Sequence, residues 1–155
     1  MKILGIVLSL LFCAGLQAQQ NLQTVIDQKN YSAAKNLSSS TEVNQLIEVE
    51  GVKMTALSYA SLKADIEMVN LLIQKGALVS PITDTRDALM FAAKGGNREI
   101  VELLLSKGAN VMNESKEGKT ARDYADAAGH QEIAVILQTE MYKIIQQAKA
   151  RRIKK

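Results

Sequence analysis

The residue types that most often carry catalysis are sparse in this sequence. His130 is its single histidine, and an imidazole can act as a general base or as a metal ligand near neutral pH. A zinc site needs three or four His, Cys or carboxylate ligands that converge, and there is no second histidine to contribute. We therefore predict no metal site and no catalytic role for His130.

Two pairs of acidic residues and one pair of glycines could also serve a site. Glu48/Glu50 and Glu114/Glu117 could act as acid and base, but both pairs fall in polar stretches where ordinary solvated carboxylates are expected. The Lys-Gly-Gly run at 94–96 could cradle a phosphate, but the P-loop and the G-x-G-x-x-G pattern are absent. A turn between two helices explains these glycines better. We predict a protein that is not an enzyme, with no cofactor and no small-molecule substrate.

The first 18 residues have the pattern of a secretory signal peptide: Lys2, an apolar run, and the small residue Ala18 before a cut. The apolar run, residues 3–15, has 13 residues, fewer than the roughly 20 that span a bilayer. We therefore predict cleavage after Ala18 and an exported, periplasmic protein. Cys13 is the only cysteine, so the mature chain would form no disulfide and no thiolate site.

The charge is divided between an acidic body and a basic tail. Residues 19–148 carry 13 Lys/Arg and 16 Asp/Glu, a net charge of −3, and five of the last seven residues are basic. A nucleic-acid binder needs basic residues clustered over a folded face, so we expect no nucleic-acid partner. Positive charge at a helix C-terminus is favourable with the helix dipole. We therefore interpret the tail at 149–155 as a solvated, fraying helix end. The alternative is that the tail is attracted to a membrane surface or an acidic partner.

The clearest pattern in the chain is an internal repeat. Residues 55–77 match residues 87–109, which lie 32 positions later, and residues 120–137 match the next register, 33 positions further on. The matches share residue types at many coincident positions, including Ala-Leu, an aromatic-Ala pair and Leu-Leu. We therefore look for the function of the protein in the surface that several adjacent copies form, and not in the residues of a single copy.

Each copy reads as two short helices. A side-chain oxygen that can cap the first helix begins each copy, at Thr55, Asp87 and Thr120. Gly96 and Gly129 can adopt a positive φ and end the first helix. The apolar residues of the second helix have a period of 3.6, and Gly76 and Gly108 lie just past it, where a left-handed residue ends many helices.

This unit resembles the ankyrin repeat: helix, tight turn, helix, extended finger. The motifs that carry the resemblance are A-L-x-[YF]-A, G-[NH]-x-E-I and L-L-x-x-G-A-x-V. The resemblance implies an all-α solenoid of stacked helix-turn-helix units with short hairpin-like fingers, here at 78–86 and 110–119. The chain departs from the family at T-P-L-H, where Ala replaces Pro and where His is replaced by Ser58, Met90 and Asp123. The hydrogen bonds that the family builds on that His cannot be assumed, and we expect less rigid helix starts.

We read four repeats in residues 19–148. The predicted boundaries are about 20–48 for an N-terminal cap repeat, 49–81 and 82–114 for internal repeats, and 115–148 for a C-terminal cap repeat. Terminal repeats need a polar outer face, which the Gln- and Ser-rich first repeat supplies. In the last repeat an apolar stripe continues to Ala148, which predicts a long C-terminal helix.

The resemblance also implies a binding surface, because partners of this family usually bind the concave side formed by fingers and first helices. Val52, Met54 and Leu62 are apolar at positions expected to be exposed, so they are candidate anchors. For Leu62, packing between repeats is an equal alternative. The polar candidates for partner contact are Lys63, Thr83, Asp84, Arg86, Lys94, Lys116, Glu117 and Lys119.

We predict a monomeric protein–protein interaction module that recognises one or more proteins. The alternative is a protective or immunity-type protein that shields or neutralises one periplasmic enzyme or toxin. The fold does not decide between them, since one fold hosts unrelated binding functions.

Overall fold

The computed structural model describes residues 22–37, 40–81 and 86–153. The predicted signal peptide at 1–18, the predicted contact residues Thr83 and Asp84, and the end of the basic tail at 154–155 lie outside the described residues. The described helices are α1 (residues 22–27), α2 (Tyr31–Lys35), α3 (Ser40–Val43), α4 (Ala56–Leu62), α5 (Ile66–Gln74), α6 (Ala88–Gly95), α7 (Arg98–Ser106), α8 (Ala121–Ala127) and α9 (Gln131–Ile153). The described strands are β1 (Leu46–Val49) and β2 (Val52–Thr55).

The predicted N-caps of the first helices are confirmed. The side chains of Thr55, Asp87 and Thr120 each accept a hydrogen bond from the backbone N–H three residues later. Two residues at the family's His positions take part: the Thr55 hydroxyl donates to the Ser58 hydroxyl at 2.9 Å, and Asp123 closes a capping box with Thr120. Burial raises the pKa of the Asp87 carboxyl, against hydrogen bonds that favour its ionised form. The helix starts are therefore tied locally without the family's histidine.

The turn inside each helix pair uses one left-handed residue. Gly96 (φ 74°) and Gly129 (φ 81°) occupy it as predicted, while Ala64 (φ 56°) and Lys29 (φ 51°) occupy it in the earlier repeats. The residue that follows Ala64 or Gly96 caps the second helix with its side chain. An L-residue with a Cβ is disfavoured in this conformation, so the α4–α5 turn is held by its surroundings rather than by local preference.

The first helices form the close-packed side of the stack. Helix α6 packs closely against both α4 and α8, whereas the backbones of α5 and α7 lie further apart. Ala60, Ala92 and Ala125 occupy equivalent positions on the first helices and are fully buried, and their small side chains let the helix backbones approach closely. The closer packing of the first helices agrees with the resemblance, which implies that this is the concave side of the stack.

The core is aliphatic and follows the repeat. Leu72, Leu104 and Leu137, at equivalent positions of the second helices, have no exposed surface. Polar side chains tie the successive links together at the edge of this core: the Asn44 amide donates to the Gly76 carbonyl at 2.9 Å and accepts from the Leu78 N–H at 2.8 Å. Stacking therefore buries the apolar faces that a single copy would leave exposed.

Residues 46–55, which lead into α4, form a regular β-hairpin that we call the first finger. β1 and β2 pair antiparallel, with Ile47 opposite Met54 and Val49 opposite Val52. Met54 is only 3% exposed, so the expectation that it is exposed is wrong. The inward face of the hairpin meets the core at its base, where Met54 and Ile47 lie, and leaves the core toward its tip, where Val52 is 47% exposed. The link at 110–119 is described in full and contains no strand.

Helix α9 has a packed half and a free half. Ile133, Ala134 and Leu137 are buried against α8 and the core, whereas the described side chains from Tyr142 to Arg152 are all exposed. Over the described residues, no helix has both the length and the apolar character needed to cross a bilayer.

Candidate functional site

Three of the predicted contact residues lie together where α4 and α6 end. Leu62 is the last residue of α4 and is 37% exposed. Lys63 caps α4, and Lys94 lies exposed in the last turn of α6. A Cβ built on Gly95 would lie 3.8 Å from the Leu62 carbonyl oxygen, which places the two helix ends side by side. We call Leu62, Lys63 and Lys94 the turn patch.

The other described contact candidates belong to the hairpin and the links. These finger residues are Val52, Met54, Arg86, Lys116, Glu117 and Lys119. The structure brings Arg86 and Glu117 together across two repeats, with 3.5 Å between their charged atoms. Met54 faces the core and offers no surface to a partner. Thr83 and Asp84 stay predictions, because they lie outside the described residues.

Arg86 is held by an aromatic ring and a carboxylate. Its Nε donates to the Tyr124 hydroxyl at 2.9 Å, and its guanidinium carbon lies 5.0 Å from the centre of the Tyr124 ring. Tyr124 in turn donates a short hydrogen bond to Glu117, which also accepts from Ser115 at 3.1 Å. The predicted contact residues Arg86 and Glu117 are therefore partners within the protein, where they join the third repeat to the fourth.

This network changes the chemistry of Glu117. The hydrogen bond from Tyr124 holds the pKa of the Glu117 carboxyl below its ordinary value, with smaller contributions from Ser115 and Arg86. The expectation of an ordinary solvated carboxylate in this link is wrong for Glu117. It is wrong because a tyrosine hydroxyl from α8 reaches the carboxylate. The carboxylate thus serves as an acceptor in a fixed network and stays ionised to lower pH.

Lys63 has the same kind of environment, between the first and second repeats. Its Nζ lies 3.1 Å from Asp27 Oδ1 and 5.4 Å from the centre of the Tyr59 ring. The Tyr59 hydroxyl donates to the same Asp27 oxygen at 2.6 Å. That hydrogen bond, followed by those from Lys63 and Gln23, lowers the pKa of the Asp27 carboxyl against its desolvation. Lys63 is consequently tied to the first repeat, although its side chain remains 48% exposed.

The tyrosines at the centre of both networks were not predicted as functional or structural polar residues. Tyr59 and Tyr124 occupy the repeat position that Phe91 occupies in the middle copy. The signal in the sequence is the added hydroxyl, since a buried tyrosine usually finds a hydrogen-bond partner. The sequence does not reveal the partners, because Asp27 lies 32 residues before Tyr59 in the weakest copy.

His130 lies against a glycine of the preceding repeat. A Cβ built on Gly96 would come within 2.5 Å of the His130 ring, so the imidazole fills the space that this glycine leaves. A groove of about 290 Å³ adjoins the ring, lined by Gly96, Arg98, Gly129, Gln131, Glu132 and Ile133. Arg98 crosses one side of it through a short ion pair to Glu132. These contacts give His130 a packing role between the turns of the last two repeats.

A metal site has no support in the described part of the chain. No group of three or more His, Cys, Asp or Glu side chains there could hold an ion. What the described surface offers instead is a set of exposed apolar and charged side chains from successive repeats, among them Leu62, Val52 and Lys94. Such an arrangement can bind another protein.

A family model described as ankyrin repeats (3 copies) matches residues 22–114 and, in a second match, residues 77–148. The two matches together span 22–148, which covers every described helix pair. The chain therefore belongs to the ankyrin repeat family. Members of this family are generally protein–protein interaction modules and are typically not enzymes. A comparison with curated proteins gives no match.

Proposed function

We propose that this protein is a non-enzymatic binding module of the cell envelope, exported by its first 18 residues and active in the periplasm. It recognises one partner protein at a time through the concave side of the stack and the tips of the fingers. The observation that carries the proposal is the close packing of the first helices. Because α4, α6 and α8 are the close-packed side, their exposed ends lie in register along one concave surface.

The turn patch supplies the anchor of the proposed interface. Leu62 is 37% exposed beside Lys94, and no ion pair in the described part of the chain involves Lys94. An apolar side chain next to an uncompensated cation suits a partner with an apolar pocket flanked by a carboxylate. Binding energy concentrates in a few such desolvated contacts, so the rest of the concave face serves complementarity.

The finger residues supply rigidity to the same surface. Arg86 and Glu117 are held by Tyr124, so their positions are fixed before a partner arrives. A surface that is ordered in advance loses less conformational entropy on binding. The charges of this pair largely cancel, and their role is to orient the link that carries Lys116 and Lys119.

Partner capture tests the proposed surface. Purified chain beginning at Gln19 is immobilised, and the proteins that it retains from a periplasmic extract are identified. The substitution Leu62→Asp should weaken the affinity for the retained partner about tenfold or more, as expected for a central apolar anchor. Val135→Asp is the matched control, because Val135 is 60% exposed on α9, away from this surface.

Circular dichroism and partner binding of the two variants together show whether the turn patch is the interface. Both variants should keep the helical circular dichroism of the unsubstituted chain, since both positions are exposed. If Leu62→Asp retains the partner as tightly as the unsubstituted chain does, the turn patch is not the interface. Equal loss in both variants would point to a surface elsewhere.

Export has its own test. Expression of the full sequence should yield a periplasmic protein whose N-terminal residue is Gln19, because Ala18 offers the small residue that signal peptidase needs before its cut. N-terminal sequencing of the fractionated protein measures this. Recovery in the cytoplasmic fraction with Met1 retained would contradict the proposed location while leaving the binding surface untouched.

A further inference from the structure

The second half of α9 presents an apolar stripe that the rest of the described chain does not cover. Met141, Ile144, Ile145 and Ala148 follow the spacing i, i+3, i+4, i+7, which places them on one face of a helix. Met141 still packs against the core, while Ile144 and Ile145 are 43% and 40% exposed. The stripe is therefore a continuation of the core-facing side of α9 beyond the end of the body.

Basic side chains surround the free end of this stripe. Lys149 lies one helical turn after Ile145, and Arg151 and Arg152 lie one turn after Ala148. All three basic side chains are exposed, and no ion pair in the described part of the chain involves them. The sequence contains no acidic residue after Glu140. The free half of α9 thus combines apolar surface with uncompensated positive charge.

We propose that residues 141–153 bind the surface of a bilayer that contains anionic phospholipid. Helices of this composition lie in the plane of the membrane interface, with the apolar face in the acyl boundary and the basic residues at the headgroups. Tyr142 is 62% exposed one turn before Ile145, and tyrosine side chains favour the same interface. The long stems of Lys149, Arg151 and Arg152 let their charges reach headgroups on both sides of the stripe.

The charge of this segment favours an anionic bilayer over a second copy of the chain as the partner of the apolar stripe. In a parallel pair along the stripe, Lys149, Arg151 and Arg152 of each helix would lie against the same residues of the other. In an antiparallel pair they would lie against residues 141–145, which carry Lys143 and no acidic side chain. Like charges at that distance repel, and this segment has no acidic side chains to alternate with them. An anionic lipid surface supplies the opposite charge over the whole length of the helix. The lipid site is separate from the concave face, so the protein would bind its partner while it lies on the membrane.

Vesicle sedimentation tests the proposal. The chain from Gln19 is used, so that the apolar run at 3–15 cannot itself enter lipid. It should co-sediment with vesicles that contain phosphatidylglycerol and stay in solution with vesicles of phosphatidylcholine alone. Raising the salt to about 1 M, where the Debye length is about 3 Å, should release most of it.

Two variants and a charge-matched control locate the contact. Replacing Lys149, Arg151 and Arg152 by Gln should reduce partitioning about tenfold or more, and Ile144→Ser with Ile145→Ser should reduce it similarly. The control replaces Lys35, Lys53 and Lys107 by Gln, which removes the same charge from exposed positions on the body. It should bind as the unsubstituted chain does. Equal loss in the control would show general electrostatic attraction and overturn the assignment.

A fluorescent reporter separates insertion from simple adsorption. The chain has no tryptophan, so Tyr142→Trp introduces a single indole at the edge of the stripe. Its emission should shift to the blue with phosphatidylglycerol vesicles and stay unchanged with phosphatidylcholine. Absence of sedimentation and of the shift would overturn the proposal. So would binding to soluble polyglutamate with equal affinity, which indicates an acidic protein, or an Ile144-dependent dimer in analytical ultracentrifugation.

Discussion

At the scale of single residues, the two tyrosine networks change how the charged candidates are interpreted. Lys63 and Arg86 were predicted as contacts for a partner, and each lies over a tyrosine ring and beside a carboxylate. Exposed ion pairs contribute little to stability by themselves, but each tyrosine hydroxyl also makes a charge-assisted hydrogen bond that joins two repeats. These residues therefore position the surface, and the exposed apolar side chains are better candidates for contact energy.

The Asp27 network predicts a loss of stability in acid. The folded-state pKa of Asp27 is lowered, so its contribution is present above the unfolded-state pKa of about 3.9 and is lost as pH falls through the folded-state value. Asp27→Asn should reduce the free energy of unfolding by only about 0.5–1 kcal/mol at pH 7, because solvent screens the charge of this partly exposed side chain. The difference between variant and unsubstituted chain should shrink toward pH 2.

Urea denaturation at a series of pH values measures this effect. Glu114→Gln is the control, since it removes an exposed carboxylate from a link and should change the stability at pH 7 by less than about 0.5 kcal/mol. A constant difference between Asp27→Asn and the unsubstituted chain at all pH values would mean that the ionised carboxylate contributes nothing.

At the scale of the elements, local sequence signals predicted most of what the structure contains. The N-caps, the glycine turns and the 3.6-residue period of α5 and α7 were readable because each is a short-range property of the chain. The burial of Met54 could not be predicted from the sequence in this way. Whether a hairpin residue faces the core depends on where the core ends, and that boundary is set by the packing of β1 and β2 against neighbouring repeats.

The turn between α4 and α5 is the element where local preference and fold disagree. Ala64 has φ 56° where Gly96 and Gly129 take the same role in later repeats. Ala64→Gly should stabilise the protein by about 0.5–1 kcal/mol, because relief of the left-handed conformation outweighs the added backbone entropy of glycine. Thermal unfolding followed by circular dichroism measures the change.

The reverse substitution in the next repeat is the matched comparison. Gly96→Ala places a Cβ in a left-handed residue and within 2.5 Å of the His130 ring, so it should destabilise by more than Ala64→Gly stabilises. Lower stability of Ala64→Gly would contradict the strain assigned to the α4–α5 turn.

At the scale of the whole molecule, repetition turns weak local features into one surface. No single copy can bury its apolar faces, and stacking closes α4, α6 and α8 into a common wall with their ends exposed along the concave side. The candidate site could be predicted only in part from the sequence. The repeat pattern predicts that the first helices and fingers form the contact surface, and this stays a prediction. The pairing of Arg86 with Tyr124, which lie 38 residues apart, could not be predicted because it depends on how the third and fourth repeats meet.

The central claim is that the concave side binds the partner, and hydrogen exchange of the complex tests it most directly. With the partner captured by the Gln19 chain bound at saturation, the amides at 52–53, 62–64 and 94–95 should exchange more slowly than in the free protein. The exposed positions of α5 and α7, on the opposite side, should exchange at unchanged rates. Protection confined to α5 and α7, with the concave side unaffected, would contradict the account.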